Sequence, residues 1–111
     1  MSDRYEEPEP MAWDDAMAAI ASGDEVRATK ALVSLAYFWK SRVDLEDLYV
    51  PLLSHCNSTI RGLAATCLGH VARIHGHIRK DVVVPALKRL VADPEVGGIA
   101  EDALEDIRSF T

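Results

Sequence analysis

Two groups of side chains in this sequence have types and spacings that could do chemistry. The first is His55, Cys56, Cys67, His70, His75 and His77. Cys67 and His70 stand three apart on one predicted helix, and His55-Cys56 come just before it. Thiolate and imidazole together suit zinc, which needs ligands converging at about 2.0–2.3 Å. The competing reading puts Cys67 in the core, where a free cysteine behaves as a small hydrophobe. It leaves His75-Gly76-His77 as a polar loop. The second reading agrees with the apolar phase of the helix, so no metal and no cofactor are expected. A Cys56–Cys67 disulfide is not expected either, because thiols stay reduced in a cytosolic chain.

The second group is acidic: Asp14-Asp15, Glu101-Asp102 and Glu105-Asp106. Glycosidase-type catalysis needs two carboxylates across a cleft, one with a raised pKa. Glu101 and Glu105 are instead four apart on one exposed helix face. That is either a solvated stripe or a docking face for Lys and Arg of another protein. Docking charges raise association rate and specificity more than affinity. Tyr37 lies off the apolar phase of its helix, and tyrosine suits a binding hot spot. Trp13 and Trp39 fit the apolar phase and are expected in the core. Glu101, Asp102, Glu105, Asp106, Asp14, Asp15 and Tyr37 are therefore the expected partner contacts. There is no Gly-rich phosphate loop, GxSxG, HExxH or EF-hand loop, and no enzyme is expected.

Helices must position these groups. The 111 residues suffice for one domain with a single core, and an aromatic share of only 6% suits close-packed helices. Residues 1–9 read as an extended lead-in, since Glu-Pro-Glu-Pro disfavours helix before each proline. Helices are predicted at 10–21 and 25–39, with Ser22-Gly23-Asp24 between them and Gly23 as a left-handed stop. A third follows at 45–55 with Asp44 as N-cap and Pro51 inside it. Asn57-Ser58 caps a fourth at 59–74, where Ile60, Leu63, Ala64, Cys67, Leu68, Val71 and Ile74 keep a helical period. A fifth begins at Asp81 and runs over 82–91, with Pro85 in its first turn. Asp93-Pro94-Glu95 starts the sixth, which runs to Phe110.

The fourth and sixth helices repeat one another at an offset of 36 residues. Ile60 matches Val96, Gly62 matches Gly98, Leu63 matches Ile99, and Leu68 matches Leu104. Cys67 falls opposite Ala103, a core position. A mid-thirties period built of two helices is a solenoid signature. The predicted fold is therefore all-α: three helical hairpins in a right-handed stack, filling one domain over 1–111. Arg61 reads as an internal partner for an acid of the next repeat.

Net charge is −6 but unevenly spread: residues 1–25 carry −7, residues 26–80 carry +5, and residues 81–111 carry −4. A negative total disfavours nucleic acid and favours a basic protein partner through steering. No apolar run is long enough to span a membrane. The acidic N-terminus lacks a secretory h-region, so a cytoplasmic protein is expected, and a monomer is expected.

The segments Ile60–His70, Ala72–Gly76, Asp93–Val96 and Glu101–Ile107 resemble small bacterial HEAT-like repeat proteins, and Tyr5, Pro8, Trp13 and Ser22-Gly23-Asp24 also fit. That group resembles immunity proteins of contact-dependent inhibition and polymorphic-toxin systems. The resemblance implies a HEAT-like α-solenoid that binds and neutralises a partner's toxic domain, often a nuclease. The alternative is a HEAT-type accessory scaffold that binds another protein without neutralising a toxin.

Overall fold

The computed structural model describes residues 7–111, and every regular element among them is an α-helix. Local signals set several of the boundaries. Helix α1, Trp13–Ala21, stops before Gly23, whose φ of 82° is left-handed. The Asp24 carboxylate then accepts from the backbone N–H groups of Val26 and Arg27 and caps α2, Glu25–Phe38. Helix α3 is Arg42–Leu52. Asn57 accepts from the Ile60 N–H at 3.1 Å and caps α4, Ser58–His75, which Gly76 closes at φ 65°. Helices α5, Lys80–Leu90, and α6, Gly97–Phe110, complete the order.

Several boundaries differ from the prediction. Residues 10–12 are not helical, so Pro10 stays in the lead-in; Tyr5 and the start of that lead-in lie outside the described residues. Ser41, not Asp44, caps α3: its hydroxyl accepts from the Asp44 N–H at 3.3 Å. Both are good cap residues, and the earlier start brings Arg42 into the helix, one turn before Glu46. His75 belongs to α4 rather than to a loop. Helix α5 starts at Lys80 rather than Val82, so Pro85 lies past its first turn, on an exposed position. Asp93 does accept from the N–H groups of Glu95 and Val96, but it caps a turn at 94–96, and α6 begins only at Gly97.

The chain divides into two units, Met1–Trp39 and Lys40–Thr111. In the first, α1 packs on α2 around Ala16, Ala19, Ala28, Ala31 and Leu35. Trp13 and Trp39 are half-buried rather than core residues, their ring centroids 4.8 Å apart. The Ser34 hydroxyl donates to the Glu9 carbonyl at 2.5 Å and ties the lead-in to α2.

In the second unit α3 packs on α4 and α5 on α6, while α4 lies along α6 and α3 touches α5 over a short stretch. Small residues set the α4–α6 approach. A Cβ added at Gly62 would sit 3.0 Å from Ile99 Cδ1, and Gly69 faces Ala103 and Asp106. These contacts put α4 and α6 side by side in the same direction, in the register of the 36-residue repeat. Gly98 corrects one part of that repeat. It is exposed, with open space where a Cβ would point, so it has no packing role like that of Gly62. Gly97 is the packed one: a Cβ there would collide with the Val91 carbonyl.

Candidate functional site

Cys67 is buried and hydrogen-bonded to Tyr49, also buried. Desolvation pushes its thiol up to about 12, so it is a core group and not a nucleophile. Cys56 is exposed, and His55 Nδ1 accepts from the Asn57 N–H at 3.0 Å. Among the described residues no three of His, Cys, Asp or Glu converge as metal ligands.

The acids of α6 do not form one field. Adjacent helical residues are rotated by about 100°, so the chain's two i, i+4 pairs run along different lines. Glu101 and Glu105 line a groove against α5, whose other wall carries Lys80 and Lys88. Glu105 also pairs with Arg108, whose hydrogen bond holds the Glu105 carboxyl below the usual range. Asp106, on the second line, leans on Gly69 and pairs with Arg73 at 2.6 Å. Asp102 is exposed and has no ion pair among the described residues.

In the other unit, Asp14 and Asp15 occupy the exposed first turn of α1, where they complement the helix dipole. Tyr37 is 55% exposed. Beside it stands Phe38, also exposed, with ring centroids 6.3 Å apart. Phe38 is not among the expected partner contacts, and its exposure beside Tyr37 is a finding of the structure.

Arg61 does what an internal partner should. It donates to the carbonyls of His55 and Cys56 at 3.0 and 3.2 Å and to Glu95 at 3.1 Å. Its Nε lies 3.1 Å from Asp93 Oδ2, a close ion pair without an aligned N–H. The Asp93 carboxyl sits below its usual range, chiefly because it accepts from the Glu95 N–H. Arg73 Nη2 also approaches His70 Nδ1 at 3.5 Å. Burial, then Arg73 and His75, lowers the pKa of His70.

One charged group escaped the sequence reading altogether. Glu46 is fully buried. Arg79 Nε donates to it at 2.5 Å, Arg42 donates to its other oxygen, and Arg79 also reaches Asp47 at 2.6 Å. The signal was legible: Glu46 falls in phase with Leu45, Tyr49 and Leu53, with an arginine four residues earlier. The cluster joins α3 to the start of α5.

Among the described residues no helix is long and apolar enough to cross a membrane. No protein-family model matches the chain, and no curated protein matches it. A solved structure does. A chain in the crystal structure of a CDI complex from Cupriavidus taiwanensis LMG 19424 is 31% identical, with a TM-score of 0.78 over 98% of each chain.

Proposed function

We propose that this chain, which belongs to the same family as that chain of the CDI complex, is an immunity protein. It binds a cognate toxin domain and neutralises it by protein–protein contact, without catalysis and without a cofactor. The observation that carries this reading is the 31% identity sustained over 98% of both chains, together with the shared fold. The pairing of α1 with α2, α3 with α4 and α5 with α6, and the register of α4 on α6, support a HEAT-like α-solenoid.

The toxin domain is proposed to be basic, and a nuclease is the activity best suited to an acidic inhibitor. Lys and Arg that grip substrate phosphates are the groups such an inhibitor would occupy. The proposed contacts are Glu101, Asp102, Glu105 and Asp106 of α6, Asp14 and Asp15 of α1, and Tyr37 of α2. The protein acts as a cytoplasmic monomer. The test is co-purification with the toxin domain encoded directly upstream of its gene. A complex of one copy of each is expected; two proteins that elute separately at micromolar concentration contradict the reading.

A further inference from the structure

The stacked helices α4 and α6 expose the same line of side chains twice. On α4 it runs Leu63, Thr66, His70, Ile74, a spacing of i, i+3, i+7, i+11 that keeps one face of a helix. Thirty-six residues on, α6 repeats it as Ile99, Asp102, Asp106, Phe110. Both lines are apolar at their ends and polar in the middle. None of these side chains is fully buried, and Ile74 and Phe110 are 64% and 50% exposed.

The lines run along neighbouring helices. Gly62 meets Ile99 at one end, and Gly76 approaches the Phe110 carbonyl at the other. Arg73 links the middle, between His70 at 3.5 Å and Asp106 at 2.6 Å. Eleven residues of helix separate the apolar ends by about 16 Å. Large apolar side chains left exposed at the ends of both lines, with polar residues between them, mark a protein contact more than a solvated face.

Charge on this surface points to the occupant. Its two arginines are already used: Arg61 on Asp93 and Glu95, Arg73 on Asp106. Asp102 is left as the charge without a counterion among the described residues, between the two apolar ends. We infer that the α4–α6 surface seats a basic stretch of the toxin domain, one Lys or Arg meeting Asp102 and apolar side chains meeting Ile74–Phe110 and Leu63–Ile99. The inference rests on the proposed immunity function and assigns it a face.

The test uses the full chain and the toxin domain encoded directly upstream. Affinity is measured for the wild type, for Ile74→Ser with Phe110→Ser, for Asp102→Lys, and for Val82→Ser on α5 as control. The double variant should weaken Kd about 100-fold, the loss expected of a hot-spot pair. Asp102→Lys should slow association about 10-fold at low salt, and Val82→Ser should change neither. These side chains are exposed, so unfolding transitions should match the wild type. As a second readout, the methyl NMR signals of Leu63, Ile74 and Ile99 should shift on binding while those of buried Ile60 and Ile107 hold.

Tight wild-type binding that neither variant weakens, with unmoved Leu63 and Ile74 signals, overturns this face and leaves the immunity function standing. A wild type that binds no toxin domain overturns both. A wild type that dimerises alone, and reverts to monomer in the double variant, makes the face a self-contact and overturns the inference.

Discussion

Within Lys40–Thr111 two helix pairs cross between repeats, and they are joined by opposite means. Helices α4 and α6 lie along one another because Gly62 and Gly69 remove the side chains that would hold them apart. Helices α3 and α5 touch only briefly, and there the join is ionic: buried Glu46 holds Arg79 and Arg42. Where backbones approach closely, burial and dispersion carry the contact. Where they cannot, a charge has been taken out of water, and only full compensation makes that tolerable.

The ionic join should be the more fragile. Glu46→Ala strands two arginines around a buried space, and breaking a buried pair costs about 3–5 kcal/mol. Because Arg79 and Arg42 are part-exposed and can turn to water, the low end is expected in urea unfolding. An unchanged midpoint would show that α3 and α5 do not need the brace. The glycine join gives a smaller effect and a sharper contrast. Gly62→Leu overpacks against Val96 and Ile99 and should cost about 1–3 kcal/mol. Gly98→Leu, its partner in the repeat, points into open space and should stay within about 0.5 kcal/mol. Equal costs at the two glycines would mean that sequence phase, not the neighbouring helix, governs them.

Smaller still is the Arg73–Asp106 pair, which solvent screens on both sides. A double-mutant cycle with Arg73→Ala and Asp106→Ala should return about 0.2–1 kcal/mol. Last comes the proton balance of His70. Its folded pKa lies below the ordinary 6.5, so folding favours the neutral ring. Stability from this site is complete above pH 6.5 and is lost as pH falls through the lowered value. His70→Gln should flatten the difference in unfolding midpoint between pH 7.5 and pH 5.5; an unaltered difference would remove His70 as its source.

Much of this was written in local sequence. Asn57, Gly76, Gly23 and Asp24 mark helix ends because their own side chains or backbone angles do the work. The 36-residue offset found the α4–α6 register, since both helices bury the same phase. What failed was whatever depended on a neighbour. Gly62 and Gly98 are one residue type at one repeat position, yet only Gly62 has a helix against it. Ser41 and Asp44 compete as caps three residues apart, and the ion pair of Arg42 with Glu46 rewards the earlier start. At the surface, the acids of α6 were legible as residues. Their division was not, because it needs to be known that α5 carries its lysines along one side of α6 and Arg73 reaches in from the other.

The central claim is that this protein protects a cell by binding a toxin domain. Growth of cells that express the cognate toxin domain, with and without this chain, measures it directly. Full growth with the wild type, and loss of protection in the Ile74→Ser and Phe110→Ser double variant at equal protein level, is the predicted result. Cells that die equally with and without the soluble, folded wild type would contradict the claim.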